Sequence, residues 1–171
     1  MAILKVAQLG HPILRMPSRE LTLEEVASAD FQQFCDDLLD TMLEYDGTGL
    51  AAPQVHANLR VVVLSLDGER EPEFFINPEI VATEGETTFN EGCLSFPGAR
   101  EDVDRAERVT VRALDKDGEP FELQADGLLA IAIQHENDHL DGKLMIDHLS
   151  VLRRRLLHRA MTKRTAADAA Q

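Results

Sequence analysis

Residues 131–142 read IAIQHENDHLDG and place His135 and His139 four positions apart with Glu136 between them. On an α-helix such positions share one face. Two imidazoles there can grip one metal ion, and a glutamate one step round can work on water held by that ion. The flanking residues support the helix: Asp126 as N-cap, Leu128, Ile131, Ala132, His135 and His139 at helical spacing, and Gly142 as the stop. The histidines extend the apolar stripe, so the helix has to lie against the core, where an unpaired imidazole is costly. Whatever the chain folds into, this helix is central to it.

Taken alone, HExxH is a short pattern, and two ordinary helix histidines are its bland explanation. The long zinc-protease version continues HxxGxxH; here His139 and Gly142 match, but Met145 stands where the third histidine should fall, and His148 comes three residues too late. A third metal ligand must therefore come from elsewhere in the chain.

At 171 residues and 44% hydrophobic, the chain has the length for one domain, residues 1–171, with a sizeable core. The opening MAILKVAQLGHPIL has neither a basic leader nor an uninterrupted apolar run, and no stretch approaches a membrane span, so a cytoplasmic protein without a membrane partner is expected. Two cysteines, Cys35 and Cys93, make a disulfide scaffold implausible. The net charge of −14 is unevenly spread: residues 1–150 hold 11 Lys+Arg against 30 Asp+Glu, whereas 151–171 hold six against one. Such a body repels nucleic acid, which argues against DNA as a partner, while the tail attracts it; a plain solubility role accounts for most of the carboxylates.

Along the chain, the segment up to Pro17 reads as irregular. A capping box at Thr22 and Glu25 opens a helix over residues 22–45, with Val26, Phe31, Phe34, Leu38, Met42 and Leu43 on its apolar face and Cys35 beside it as a small buried group. DGTGLAAPQV, residues 46–55, breaks that pattern yet is too apolar for a solvent loop. Gly47 and Gly49 allow a close approach there, and the Gln54 amide can donate a hydrogen bond into a site; a close-packed turn is the alternative. Strands follow in RVVVLSL, ending at Asp67 and Gly68, then in EFFINPEIVA, and RVTVRAL with EPFELQA flank a turn as a hairpin. Pro78 points to an edge strand or a bulge. In FNEGCLSFPG, residues 89–98, Cys93 is neither paired nor on a periodic apolar face, which makes it the natural candidate for the missing ligand, with an incidental thiol as the alternative.

Three segments, GTGLAAPQ (47–54), EGCLS (91–95) and QHENDHLDG (134–142), together resemble, in order and spacing, the three motifs of the peptide deformylase family, in particular the bacterial type with a C-terminal helix. The resemblance covers most of the chain. It implies an α+β fold, with mostly antiparallel sheets packed around the central HExxH helix, a helix in the N-terminal half and another at the C-terminus. It implies that Cys93, His135 and His139 bind one divalent metal ion and leave a fourth position for water. Fe2+ is the expected ion in the cell, with Zn2+, Ni2+ or Co2+ in purified samples. Glu136 is then general base and later general acid, and the Gln54 side chain and the Leu94 backbone N–H donate to the formyl oxygen. The implied reaction removes the formyl group from the formyl-methionine that begins new proteins and releases formate. The implied substrate site takes in Gly49 and lines a methionine pocket with Phe89, Leu128, Ile131 and Ala132; Thr48 and Ala132 stand where the family often has bulkier residues. Arg100 is a candidate peptide contact, with a surface salt bridge as its alternative.

After Asp147, a basic amphipathic helix is expected over residues 148–165, with Leu149, Leu152, Leu156 and Ala160 on one face and Arg153, Arg154, Arg155, Arg159, Lys163 and Arg164 over the rest; 166–171 read as a frayed tail. Family analogy suggests that this helix docks on ribosomal RNA; a solvated helix balancing nearby acids is the alternative. Two rival readings share parts of the pattern. A metallopeptidase needs a downstream third ligand that Met145 denies it, and a structural-metal module needs a fourth ligand that the sequence does not offer.

Overall fold

The fold was analysed in a computed structural model, which describes residues 2–66 and 72–168, the side chains of 162–168 apart. The turn expected at Asp67 and Gly68 lies outside the described residues. A 3-10 turn, Pro12–Arg15, comes first and two helices follow. Thr22 caps α1, Leu23–Val26, through the expected box: its hydroxyl accepts the Glu25 N–H at 3.2 Å and the Glu25 carboxylate accepts the Thr22 N–H at 2.8 Å. The helix expected over 22–45 then breaks, because Ser28 caps a second one, α2, Ala29–Glu44, accepting the Phe31 N–H. Two consecutive N-cap signals thus give two helices, not one.

β1, Gly49–Ala51, leads into a 3-10 turn, Ala52–Val55, and β2, Val61–Leu64, is buried along its whole length. β3, Glu73–Glu84, follows, then a two-stranded ribbon of β4, Thr87–Gly92, and β5, Arg100–Arg105. β6, Arg108–Leu114, and β7, Pro120–Asp126, form the expected hairpin and complete an antiparallel sheet in the order β1-β2-β3-β6-β7. β3 is the middle strand of that sheet, so Pro78 does not mark an edge. It sits in an irregularity between Ile76 and Glu79, where Asn77 turns to φ 51° and its amide pairs with the Leu21 N–H and C=O. A bulge, where the ladder is already interrupted, is the place a sheet tolerates a residue without an N–H.

The sheet is apolar on both faces. Val61, Val63, Phe74 and Ile76 pack with Leu38 and Met42 of α2. Val62, Leu64, Phe75 and Val111 pack with Ala130, Ile133 and Leu140 of α3, Gly127–Leu140. The HExxH helix therefore lies on the sheet, and its histidine side faces the ribbon, as the bond from His135 to β4 shows. Asp126 occupies the N-cap position of α3 but makes no side-chain capping bond. A third cluster joins Leu14 and Phe96 to Leu144, Met145 and Ile146, so Met145 is a core residue.

The C-terminal helix, α4, is Val151–Asp168 and does not begin at His148, which ends a 3-10 turn, Met145–His148. Leu149 is extended, and the Ser150 hydroxyl accepts the Arg153 N–H. The expected apolar face is also displaced. Leu149, ahead of the helix, and Leu157 are buried, whereas Leu152 and Leu156 face solvent, 68% and 56% exposed. Residues 166–168 belong to the helix and not to a frayed tail, and 169–171 lie outside the described residues.

Candidate active site

Three chain segments meet above α3. Cys93 follows β4, and its Sγ stands 3.3 Å from His139 Nε2; one donor atom from each of Cys93, His135 and His139 lies within 4.8 Å of the others. His135 and His139 are buried and Cys93 half-buried. Glu91, two residues before Cys93 on β4, reaches His135 Nδ1 at 2.7 Å. A carboxylate in that position accepts a hydrogen bond from Nδ1–H and so holds the proton on Nδ1, which leaves the Nε2 lone pair free to ligate.

Glu91 is itself anchored. Arg105 of β5 holds it with two bonds, Nε–Oε1 at 2.7 Å and Nη2–Oε2 at 3.0 Å, with both side chains 3% exposed. Burial opposes ionisation of Glu91, but His135 and Arg105 outweigh it and hold the carboxyl below its ordinary range. For His135, burial likewise disfavours the charge, yet Cys93 and Glu91 raise the imidazole well above its usual value. His139 is held well below its usual value by burial and by His135. A thiol and two imidazoles suit zinc, iron, cobalt or nickel, and three protein ligands leave a tetrahedral position open, so the residues fit a catalytic ion.

Glu136 lies beside them, 5% exposed, with no hydrogen-bond partner for Oε2 among the described residues. Burial, eased by His135 and reinforced by Glu91, pushes its carboxyl up to about 7. Such a group takes and returns protons near neutrality. The amide of Gln54 is oriented by its neighbours: the Ala51 N–H donates to Oε1 at 2.9 Å, so Nε2 points to Ser95 Oγ at 3.2 Å and Cys93 Sγ at 3.5 Å. An N–H donor therefore faces the ligand group.

The family model described as Polypeptide deformylase matches residues 3–155. The chain belongs to the peptide deformylase family. Peptide deformylase 2 of Xanthomonas axonopodis pv. citri is 48% identical over 164 residues, 95% of this chain and 96% of that relative. The crystal structure of a peptide deformylase from Legionella pneumophila superposes with a TM-score of 0.92 at 43% identity, covering 99% of each chain. A Met-Ala-Ser-bound class I type b peptide deformylase from Acinetobacter baumannii has a TM-score of 0.83 at 35% identity, over 86% of this chain and 99% of that one. The deformylase family consists of metal-dependent hydrolases that remove the formyl group from new proteins, and this chain shares its α+β fold and its reaction.

The other deformylase residues expected from sequence are placed as follows. Gly49 passes so close to Glu136 that a Cβ would stand 2.7 Å from Oε1. Leu94, directly after Cys93, packs its side chain on the α2 side of the core. Phe89 shares a ribbon face with Glu91 and is 37% exposed; on α3, Ile131 is buried and Leu128 is 39% exposed. Ala132 packs on the sheet-side cluster. Arg100 is on the opposite ribbon face, bonded to Asn90 and without a carboxylate partner among the described residues, so the surface salt bridge is not formed. Sequence reasoning missed Glu91, Arg105 and the Gln134 clamp, which bonds both the N–H and the C=O of Ala106 at 2.9 Å. Glu91 and Gln134 had a signal, lying inside EGCLS and QHENDHLDG; Arg105 lies outside all three motifs and had none.

Proposed function

We propose that residues 1–171 act as one cytoplasmic unit that hydrolyses the formamide bond of N-formyl-methionyl chains at one divalent ion, Fe2+ by family resemblance, held by Cys93, His135 and His139. Zn2+, Ni2+ and Co2+ suit the same donors. The observation that carries this reading is the convergence of three donor atoms within 4.8 Å of one another, with a buried carboxyl, Glu136, next to the ligand His135 on the same helix. When bound, such an ion polarises the formyl carbonyl and makes water acidic. Glu136 takes the proton from the attacking water and later hands it to the departing amine, a double role that a carboxyl near 7 suits. Gln54 Nε2 and the Leu94 N–H donate to the oxygen as it gains charge. Glu91 and Arg105 hold His135 in its ligating tautomer.

The methionine side chain occupies the space bounded by Phe89, Leu128, Ile131 and Ala132, with Gly49 keeping the approach to Glu136 open and Arg100 at the peptide end. A relative that binds Met-Ala-Ser supports a peptide beginning with methionine. The nascent chain is reached on the ribosome, where the basic residues of α4 meet RNA phosphates.

The test is formate release from an N-formyl-methionyl peptide by protein prepared without oxygen, with its metal quantified. Glu136→Ala should keep the ion and lose at least about a hundredfold in kcat. Cleavage of an internal peptide bond, or an active Glu136→Ala protein, would overturn the assignment.

A further inference from the structure

The ion pair behind His135 does not end at Arg105. Arg105 Nη1 also reaches Asp138 Oδ2 at 2.6 Å, and His148 Nε2 donates to the same oxygen at 2.7 Å. Together with the Glu91 bonds this makes a continuous chain, His148–Asp138–Arg105–Glu91–His135, from a one-third-exposed imidazole to a buried candidate ligand. A cavity of about 400 Å³ adjoins its outer end, lined by Ile80, Thr83, Arg105, Gln134, Asp138 and His148. His148 and Arg105 both border that space, with His148 Nε2 3.4 Å from Arg105 Nη1, while the side chains of the guanidinium–carboxylate pair are each only 3% exposed.

The strength of such a pair depends on water staying out, because its attraction falls steeply as the local dielectric rises. Arg105 divides its donors between Glu91 and Asp138, so a change at Asp138 is transmitted to Glu91. A group that bonds Asp138 keeps the guanidinium seated on Glu91.

We propose that His148 is a positioning residue for the metal site: through Asp138, Arg105 and Glu91 it holds His135 in its ligating orientation. This rests on the reading of Cys93, His135 and His139 as the ligands.

The test uses the whole chain loaded with cobalt(II) and follows both the rate at which a chelator strips the ion and the visible absorption bands of the bound cobalt. His148→Ala should lose cobalt about three- to tenfold faster, less than the 10–100-fold typical of a direct ligand partner, and its bands should shift. His148→Gln keeps an N–H for Asp138 and should stay within about twofold of the unaltered chain. Stripping of His148→Ala at the unaltered rate with unshifted bands would overturn the proposal, even with a lowered thermal midpoint. So would a glutamine variant as leaky as the alanine one. If the unaltered chain takes up no cobalt, the ligand assignment itself falls, and the role of His148 with it.

Discussion

At the scale of single residues, the site depends on close approaches that leave no room for a methyl group. A Cβ on Gly49 would stand 2.7 Å from Glu136 Oε1 and 2.8 Å from Leu64 Cδ2, so Gly49→Ala has to move the carboxylate. Displacing a proton carrier by a fraction of an ångström should lower kcat/KM about 10- to 100-fold while the metal content stays at that of the unaltered chain; an unchanged kcat/KM would show that Glu136 tolerates the shift. Cys35 is fully buried, and desolvation pushes its thiol up to about 12 from an ordinary 9. The unfolded chain releases that proton near pH 9, whereas the folded one keeps it to about 12. The stability it contributes is thus complete below pH 9 and is lost as pH rises towards 12. Urea midpoints should fall between about pH 8 and about pH 10.5, and fall less for Cys35→Ala.

Among secondary elements, caps and faces decide what the hydrophobic pattern leaves open. The Ser28 hydroxyl accepts the Phe31 N–H at 3.2 Å and donates to the Glu25 carbonyl at 2.7 Å, joining the end of α1 to the start of α2. Ser28→Ala should cost about 1 kcal/mol in urea denaturation. If that variant is as stable as the parent, the break between the two helices is set by packing and not by the cap. The run of apolar residues from Val26 to Leu43 hides this break because α1 and α2 bury a common side. β4 and β5 escaped notice for the opposite reason: TTFNEG and REDVDR look like surface chain, and their inward positions include Glu91 and Arg105, which are buried only because they pair with each other. α4 shows how a start point sets a face. Helix begins after Ser150, and Arg154 bonds the Ile146 and Asp147 carbonyls, which turns Leu157 inward and Leu152 and Leu156 outward.

For the molecule as a whole, charge is partitioned between an acidic body and a basic C-terminal segment. Arg153 is engaged by Glu101 at 3.0 Å and Arg154 by backbone carbonyls, while Arg155 and Arg159 are exposed. Removing α4 altogether would also uncover the cluster that contains Leu157, so single-residue changes give the cleaner test of docking. The double variant Arg155→Ala, Arg159→Ala should co-sediment less with ribosomes in low salt, and the slope of log K against log salt should shrink by about two. Binding with an unaltered slope would remove these arginines from the contact. No helix among the described residues is long and apolar enough to cross a membrane.

The sequence by itself determined the histidine helix, the Thr22 cap, the hairpin before it and, through three motifs in order, the family. These follow from spacing along one helix turn or one hairpin, where residues close in the chain are close in space. Only the tertiary structure decided what surrounds the ligand group. Glu91 meets His135 across 44 positions, Arg105 meets Asp138 across 33, and Gln54 reaches Ser95 across 41. Such contacts have no period in the sequence. They exist because a sheet, a ribbon and a helix pack together, and because a buried polar or charged group at each position has to find its partner.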